Sequence, residues 1–273
     1  MASFLVNGWP AQSIDTADRG LAYGDGVFRT LLVREGRPLN WSRHHRLLVR
    51  DCGMVGIDPP DPGLVLDEIR RLAPRDATVK VIVTRGSSGR GYAYAEDLAP
   101  TRIVVAYPSL PVTPEPAQQG ICARRCDLVL GEQPRLAGVK SLNRLENVLA
   151  RAEWRDPAIR EGFICDAAGR VIEGTMSNVF LVRAGTVATP GLTRCGVIGA
   201  QRERVRDLLA AQGIACAERD VPFAELAGAD ELFITNSVIG IWPVVRLGTW
   251  ARPPGPLTRL VQALVAADDA AAP

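Results

Sequence analysis

The sequence predicts an α+β protein of two domains. Hairpins and helices are mixed along the chain. They lack the regular strand-helix alternation of a doubly wound parallel sheet. The chain has 273 residues and is 47% hydrophobic, enough for one large domain or two ordinary ones. Four prolines between Pro108 and Pro116 resist both helix and sheet ladder. We therefore expect domains over 1–107 and 118–273, joined by a linker over 108–117.

The first domain is predicted to run as a strand, a hairpin, two helices and two further strands. FLVNG is an apolar strand with a turn signal, and VFRTLLV turns at REGRP. One helix should run from Ser42 towards Gly53, and a second, after the breaker run DPPDPG, places Val65 and Ile69 on one face. TVKVIVTRG and TRIVVAYPS are β-branched strands that flank the loop GSSGRGYAYAEDLAP.

The second domain is predicted to begin with the apolar strand GICARRCDLVL and a loop that holds Lys140. A helix should follow from about Asn143 to Trp154. EGFICDAAGRVIEG and NVFLVRAGTVATP are hairpin patterns. A further helix runs from Gly199 to Gly213, DELFITNS is a strand, and PLTRLVQALVAA is a closing helix.

The overall charge and hydropathy argue against several classes of partner. The 32 basic and 30 acidic side chains nearly cancel, which gives no electrostatic reason to expect nucleic acid or an anionic membrane. No apolar stretch reaches the roughly 18 residues that a membrane span needs. The six cysteines are scattered, and CARRC has no second pair to complete a metal site. We expect a soluble, non-exported protein with a small-molecule partner, no metal and no disulfide framework.

Lys140 is the first candidate for chemistry. It lies in LAGVKSLNRLENVL, where an apolar approach should favour the neutral amine that Schiff-base formation needs. Lysine is scarce, because Lys80 and Lys140 stand against thirty arginines. A surface lysine at a helix start is the commoner meaning of such a local sequence.

Three further segments could each bind part of a ligand. Glu173 alternates with Val171 on a strand, and a buried carboxylate there could keep a pyridine nitrogen protonated, although an exposed strand glutamate is commoner. GVIGAQRERV places glycines before a helix whose free amides could bind phosphate, or which is simply capped. Asn236 and Ser237 end a strand, where ligands often bind and simple turns are commoner still.

The sequence lacks the residue patterns of several other enzyme classes. His44 and His45 are the only histidines, and they suit neither a metal site nor a serine-histidine-aspartate hydrolase. SSGRGY is glycine-rich but lies between strands and does not precede a helix, so it is neither a P-loop nor a dinucleotide fingerprint.

Taken together, the order and spacing of these signals resemble the fold-type IV enzymes that depend on pyridoxal 5'-phosphate (PLP). DRGLAYGDGVFRT (18–30), RGSSGRGY (85–92) and LAGVKSLNRLENVL (136–149) are similar to the 4-amino-4-deoxychorismate lyase branch. The resemblance spans nearly the whole chain. It implies a smaller N-terminal α/β domain, a larger C-terminal domain with a β-barrel-like core, and a cytoplasmic homodimer.

The resemblance also assigns site residues. The lysine that carries PLP falls on Lys140, and the glutamate that binds the pyridinium falls on Glu173. The phosphate-binding groups match Ala200, Gln201, Asn236 and Ser237.

This sequence departs from the family's pattern at the arginine that binds the phosphate. Counting along the first long helix without gaps puts Leu47 at its position. A local shift of one residue would give the role to Arg46, which is our expectation. Arg43 and Arg50 lie one helical turn away and could substitute.

The resemblance implies a reaction of folate biosynthesis, the cleavage of 4-amino-4-deoxychorismate to 4-aminobenzoate and pyruvate. Lys140 would remove the C4 proton of the substrate. Because the substrate carries two carboxylates, Arg90 and Tyr92 are expected to line its pocket, unless they are a solvated arginine and a packing tyrosine. A branched-chain or D-amino acid aminotransferase is the alternative. A non-catalytic binding protein is disfavoured because Lys140 and Glu173 are both present.

Overall fold

The computed structural model describes residues 2–108 and 113–271, and the chain divides into two compact units. One comprises Met1–Pro111 with Val139–Asn143, and the other comprises Val112–Gly138 with Arg144–Pro273. Part of the expected linker, residues 109–112, lies outside the described residues. The helices in the described ranges include none that is long and apolar enough to span a membrane.

The first unit is a six-stranded antiparallel sheet with two main helices. Its elements are β1 (Ser3–Val6), β2 (Trp9–Pro10), α1 (Arg19–Tyr23), β3 (Gly26–Arg34), β4 (Arg37–Pro38), α2 (Trp41–Val55), α3 (Pro62–Leu72), β5 (Ala77–Thr84) and β6 (Thr101–Pro108). The strand order is β2-β1-β6-β5-β3-β4.

Alternation along β3 and β5 gives this sheet two unlike faces. On one face Leu31 and Val81 are buried in a cluster with Leu48 of α2 and Ile69 of α3. Each such aliphatic side chain contributes roughly 1.5–3 kcal/mol by its burial. The opposite face is partly exposed and carries Phe28 with its neighbours.

Val139–Asn143 belongs to the first unit because it pairs with the start of β3. The Phe28 N–H donates to the Lys140 carbonyl at 2.9 Å, and the Leu142 N–H donates to the Gly26 carbonyl at 2.9 Å. This pairing explains a difference from the sequence prediction. The helix expected from Asn143 to Trp154 covers only Leu145–Arg151, since Asn143 still contacts Gly24 through its side-chain amide.

The second unit is built on a nine-stranded mixed sheet. Its elements are α4 (Glu115–Gln119), β7 (Ile121–Leu130), α5 (Leu145–Arg151), β8 (Ile159–Asp166), β9 (Val171–Gly174), β10 (Asn178–Arg183), β11 (Thr186–Pro190), α6 (Ala200–Ala211), β12 (Cys216–Arg219), β13 (Glu231–Asn236), β14 (Gly240–Leu247), β15 (Trp250–Ala251) and α7 (Pro256–Ala271). The strand order is β12-β11-β10-β13-β14-β7-β8-β9, with β15 paired to β14. The α+β fold class is confirmed.

Both faces of this larger sheet are buried. Phe180 and Phe233 stack with ring centroids 4.8 Å apart and pack with Val205 of α6 and Val261 of α7. On the other face Leu181 belongs to a second apolar cluster. Burial on both faces explains why β10 and β13 are almost continuously apolar.

Candidate active site

Lys140 lies on the partly exposed face of the first unit. Its Nζ is 4.8 Å from the centroid of the Phe28 ring, and the Nζ of Lys80 is 4.4 Å from the same centroid. These distances add to 9.2 Å, the largest separation that the two nitrogens can have. Burial lowers the pKa of Lys80. Both lysines of the chain therefore lie close to one aromatic ring, which the sequence did not indicate.

The main chain of Lys140 is held by a buried ion pair. Its N–H donates to Oδ2 of Asp51 on α2 at 3.1 Å, and the same oxygen accepts from Nη2 of Arg29 on β3. Asp51 is fully buried and Arg29 nearly so. Burial raises the pKa of Asp51, and the Arg29 guanidinium opposes that rise.

His44 lies buried in the same region on α2. Burial, followed by the charges of Arg29, Lys140 and Arg43, lowers its pKa to about 3. The imidazole is therefore neutral at physiological pH. It adds no charge to the cations already present.

Glu173 lies in the second unit, on β9, and is buried. Its Oε2 accepts the Val197 N–H at 2.8 Å, and its Oε1 accepts from Nδ2 of Asn147 on α5 at 3.3 Å. The alternative of an exposed strand glutamate is thus wrong. A carboxylate with such donors is stabilised in its charged form and can hold a cationic ring nitrogen.

A second buried carboxylate fixes the turn after β9. Glu161 accepts hydrogen bonds from the Thr175 hydroxyl at 2.5 Å, the Ser177 hydroxyl at 2.6 Å and the Thr175 N–H at 3.0 Å. The Thr175 carbonyl in turn accepts from Asn147 at 3.2 Å. Glu161 and Asn147 thereby anchor the segment that follows Glu173.

The start of α6 has no side-chain cap. Its N-cap, Gly199, provides no side-chain cap, and Ala200 and Gln201 form the first turn. A Cβ on Gly199 would lie 2.3 Å from Oδ1 of Asn178, which accepts the Gly199 N–H at 3.1 Å. The segment leading into this helix also contains Val197, the donor to Glu173. A single short segment, residues 197–201, therefore connects the donor to Glu173 with the candidate phosphate site at the start of α6.

The strand-end pair closes β13. The Asn236 side chain accepts the Val238 N–H at 2.8 Å and donates to the Met176 carbonyl at 3.0 Å. It therefore shapes the turn that contains Ser237, and both residues are partly exposed. A phosphate contact by this pair stays a prediction.

The arginines of α2 differ in exposure. Arg46 is exposed, whereas Arg43 and Arg50 are partly buried. Leu47, the ungapped match to the family's arginine, is buried, and its carbonyl lies 3.5 Å from Nη2 of Arg29. Which arginine would bind phosphate stays a prediction.

The loop with Arg90 and Tyr92 is anchored by residues that sequence reasoning missed. Nη1 of Arg19 donates to the Gly91 carbonyl at 2.9 Å, and Nη2 donates to the Tyr92 carbonyl at 3.1 Å. Arg19 is itself paired with Asp25 at 2.9 Å. Arg90 is exposed, and the Tyr92 side chain is 85% exposed. Substrate contact by either residue stays a prediction.

A signal for the missed ion pair was present in the sequence. In β3 the inward alternation Val27, Arg29, Leu31 places a cation on the apolar face. In α2 the buried stripe includes Leu47, Leu48, Asp51 and Cys52, which places an anion there. Opposite charges at two core positions predict a buried pair.

Comparison with known proteins defines the class. Residues 26–247 match the amino-transferase class IV family, which is most of the chain. The protein belongs to this family.

Individual members of the family are similar to the chain over nearly its whole length. The chain is 34% identical to aminodeoxychorismate lyase from Vibrio harveyi, over 95% of this chain and 98% of the relative. It is 31% identical to a D-alanine aminotransferase from Bacillus licheniformis, over 92% of this chain and 89% of that protein. The crystal structure of 4-amino-4-deoxychorismate lyase from Pseudomonas aeruginosa superposes with a TM-score of 0.93 at 44% identity, covering 97% of this chain and 98% of the other.

Proposed function

We propose that this protein is a PLP-dependent lyase that cleaves 4-amino-4-deoxychorismate to 4-aminobenzoate and pyruvate, a reaction of folate biosynthesis. The observation that carries the proposal is the 44% identity and 0.93 TM-score to the Pseudomonas aeruginosa lyase over 97% of the chain. The relative from Vibrio harveyi, at 34% identity, supports the same reading.

The side chains suit the cofactor. Lys140 supplies a primary amine for the aldehyde, and the buried carboxylate of Glu173 suits a protonated pyridine nitrogen. The uncapped start of α6 offers the amides of Ala200 and Gln201 to a phosphate. Arg46 and Ser237 complete the proposed phosphate contacts, with Asn236 shaping the turn.

PLP, when bound, supplies an electron sink for negative charge at the carbon beside the substrate nitrogen. The Lys140 Nζ acts as the base that takes the C4 proton of the substrate, which requires the neutral amine. The carboxylate of Glu173 keeps the ring nitrogen protonated throughout. Cleavage of the bond between the ring carbon and the enolpyruvyl oxygen would then release enolpyruvate and leave the ring aromatic. Lys140 would return its proton to the enolpyruvate, which becomes pyruvate.

The two carboxylates of the substrate need cationic or hydrogen-bonding partners. Arg90 and Tyr92 remain the proposed partners from the 86–94 loop. Lys80 joins them as a proposal, because its ammonium group is partly buried near the Lys140 amine. Among the described residues Lys80 has no acidic partner, so a substrate carboxylate could neutralise it.

The decisive test is incubation of the purified protein with 4-amino-4-deoxychorismate and measurement of both products. Equal amounts of 4-aminobenzoate and pyruvate are expected. Transfer of an amino group from a D-amino or branched-chain amino acid to a keto acid, with neither product formed, would instead favour the aminotransferase reading. That alternative is supported by the 31% identity to the Bacillus licheniformis enzyme.

Cofactor attachment has its own test. Borohydride reduction followed by peptide mass analysis should place the PLP adduct on Lys140. The Lys140→Ala variant should carry no adduct, and Lys80→Ala is its matched control, since Lys80 lies on the same ring. An adduct retained in Lys140→Ala would overturn the assignment.

We also propose a cytoplasmic homodimer. Leu145, Val148 and Leu149 are apolar and 68%, 60% and 53% exposed on one side of α5, which supports burial against a second subunit. The six cysteines are all free, as in a reducing compartment. Light scattering during size-exclusion chromatography should give twice the 29.4 kDa chain mass.

A further inference from the structure

We infer that the buried Arg29–Asp51 pair is a positioning device for Lys140, fixing its main chain so that the amine is presented in one place. This inference rests on the proposed function, because it concerns the lysine to which PLP is assigned. Neither Arg29 nor Asp51 was identified as a site residue from the sequence. Asp51 acts through the main chain of Lys140, so it is a positioning residue and not a catalytic one.

The first step of the argument concerns the hydrogen bonds of Lys140. Its carbonyl accepts from the Phe28 N–H of β3 at 2.9 Å, as in an ordinary strand pairing. Its own N–H instead donates to the Asp51 carboxylate at 3.1 Å. Hydrogen bonds to an ionised acceptor are roughly twice as strong as neutral ones. The main chain of Lys140 is thus fixed from both sides, once by a charge.

The second step concerns the charge itself. Asp51 is completely buried, with 0% relative accessibility. Its carboxylate therefore needs a nearby cation to remain ionised. Arg29 supplies it from β3, and Arg50 lies 3.6 Å from the other carboxylate oxygen. Arg29 therefore supports the acceptor on which the Lys140 N–H depends.

The third step concerns geometry. Asp51 belongs to α2, Arg29 belongs to β3, and both elements are packed in one apolar cluster. A lysine side chain already has four rotatable bonds, and a mobile main chain would add further displacement of Nζ. Displacement of a reacting group by about 1 Å can lower a rate about a hundredfold. A rigid main-chain anchor is what a lysine base requires.

The test uses the scarcity of lysine. Protein labelled with 15N-lysine shows only the backbone amides of Lys80 and Lys140, so the exchange of each with solvent is read separately. Lys80 lies within β5 and serves as the internal reference. The variant Arg29→Met/Asp51→Leu removes both charges, which avoids leaving one of them buried alone.

A matched control is available in the same unit. Asp76 pairs with Arg34 at 3.0 Å and accepts the Glu35 N–H at 2.8 Å, which is the same arrangement of an arginine of β3 and a backbone donor. This second pair is partly exposed, and the backbone N–H that it accepts is that of Glu35 and not of Lys140. The variant Arg34→Met/Asp76→Leu should leave the Lys140 amide and kcat unchanged.

In Arg29→Met/Asp51→Leu, we expect exchange of the Lys140 amide to accelerate about tenfold or more, with Lys80 unchanged. In the PLP-loaded enzyme we expect kcat to fall about tenfold with KM within about threefold, because proton transfer and not substrate binding is affected. Asp51→Asn, which keeps an acceptor oxygen but loses the charge, should shift both readouts less and in the same direction.

The positioning role is overturned if either the Lys140 exchange rate or kcat stays at its wild-type value in the folded double variant. Should that variant not fold, Asp51→Asn decides by the same two readouts. If wild-type protein releases no 4-aminobenzoate, the proposed function fails, and the amide signals still report whether the ion pair holds Lys140.

Discussion

The two units support their key side chains in different ways. In the first, the main chain of Lys140 depends on a buried ion pair between Arg29 and Asp51. In the second, the carboxylate of Glu173 is bound by two neutral donors, the Val197 N–H and the Asn147 amide. A neutral donor can be lost at modest cost, whereas one charge of a buried pair cannot be lost without leaving the other uncompensated. The first arrangement is therefore the more sensitive to single substitutions.

The largest expected effect comes from breaking the charged support. Arg29→Met leaves the Asp51 carboxylate buried without its main cation, and should lower the free energy of unfolding by about 3–5 kcal/mol. Urea denaturation measures the change. Arg34→Met, at the partly exposed pair, should change it by less than about 1 kcal/mol. Similar losses in the two variants would remove the contrast between buried and exposed pairs.

Glu161 tests whether a buried carboxyl group is as sensitive when the described part of the chain gives it hydrogen bonds and no ion pair. Its carboxylate accepts from the Thr175 and Ser177 hydroxyls and from the Thr175 N–H. Glu161→Gln replaces an acceptor oxygen with a donor, and should lower the free energy of unfolding by about 2–3 kcal/mol. Glu132→Gln, at an exposed position, is the control. A loss near zero would show that the turn after β9 is held by other contacts.

The pH dependence of stability tests the burial of His44. Its pKa is about 3 in the folded protein and near 6.5 when unfolded, so between these values the unfolded state binds a proton that the folded state does not. Stability should therefore fall as pH decreases from 6.5 towards 3, by up to about 1.4 kcal/mol per pH unit. His44→Phe should flatten this dependence, measured by urea denaturation at several pH values. His45→Gln is the control, and equal slopes in wild type and His44→Phe would contradict the prediction.

The smallest expected effect comes from removing one neutral donor to Glu173, the Asn147 amide. Asn147→Ala removes one amide donor and should lower the free energy of unfolding by about 1 kcal/mol. The Val197 N–H, at 2.8 Å, remains to bind the carboxylate. Thermal or urea denaturation measures the change. A loss as large as that of Arg29→Met would mean that neutral and charged supports do not differ here.

Much of the fold could be predicted from periodicity and turn signals. The turn signal REGRP identified β3, and β-branched composition identified β5 and β6. The turn residues Ala184-Gly185 joined β10 to β11, where both adopt positive φ. The helix after Lys140 was predicted too long, because pairing of residues 140–142 with β3 is a contact distant in sequence. No local pattern reports such a contact.

The candidate site was predictable only in part. Motif resemblance made Lys140 and Glu173 candidates, and their roles stay predictions. The burial of Glu173 became evident only from the structure. Arg29 and Asp51 were not predicted, because each is one of many charged residues in the sequence. Only their positions on the apolar faces of β3 and α2 distinguish them. Tyr92 and Arg90 remain predictions, since the exposure of a loop side chain says little about what it binds.

The scarcity of lysine limits the number of amines with which PLP could react. A free aldehyde condenses with whatever accessible primary amines a protein offers, but guanidinium groups are not available to it in this way. With thirty arginines and only Lys80 and Lys140 as lysines, the chain offers few competing nucleophiles. Both of those amines lie within 5 Å of the centroid of the Phe28 ring, so condensation at Lys80 would still occur beside the proposed position at Lys140.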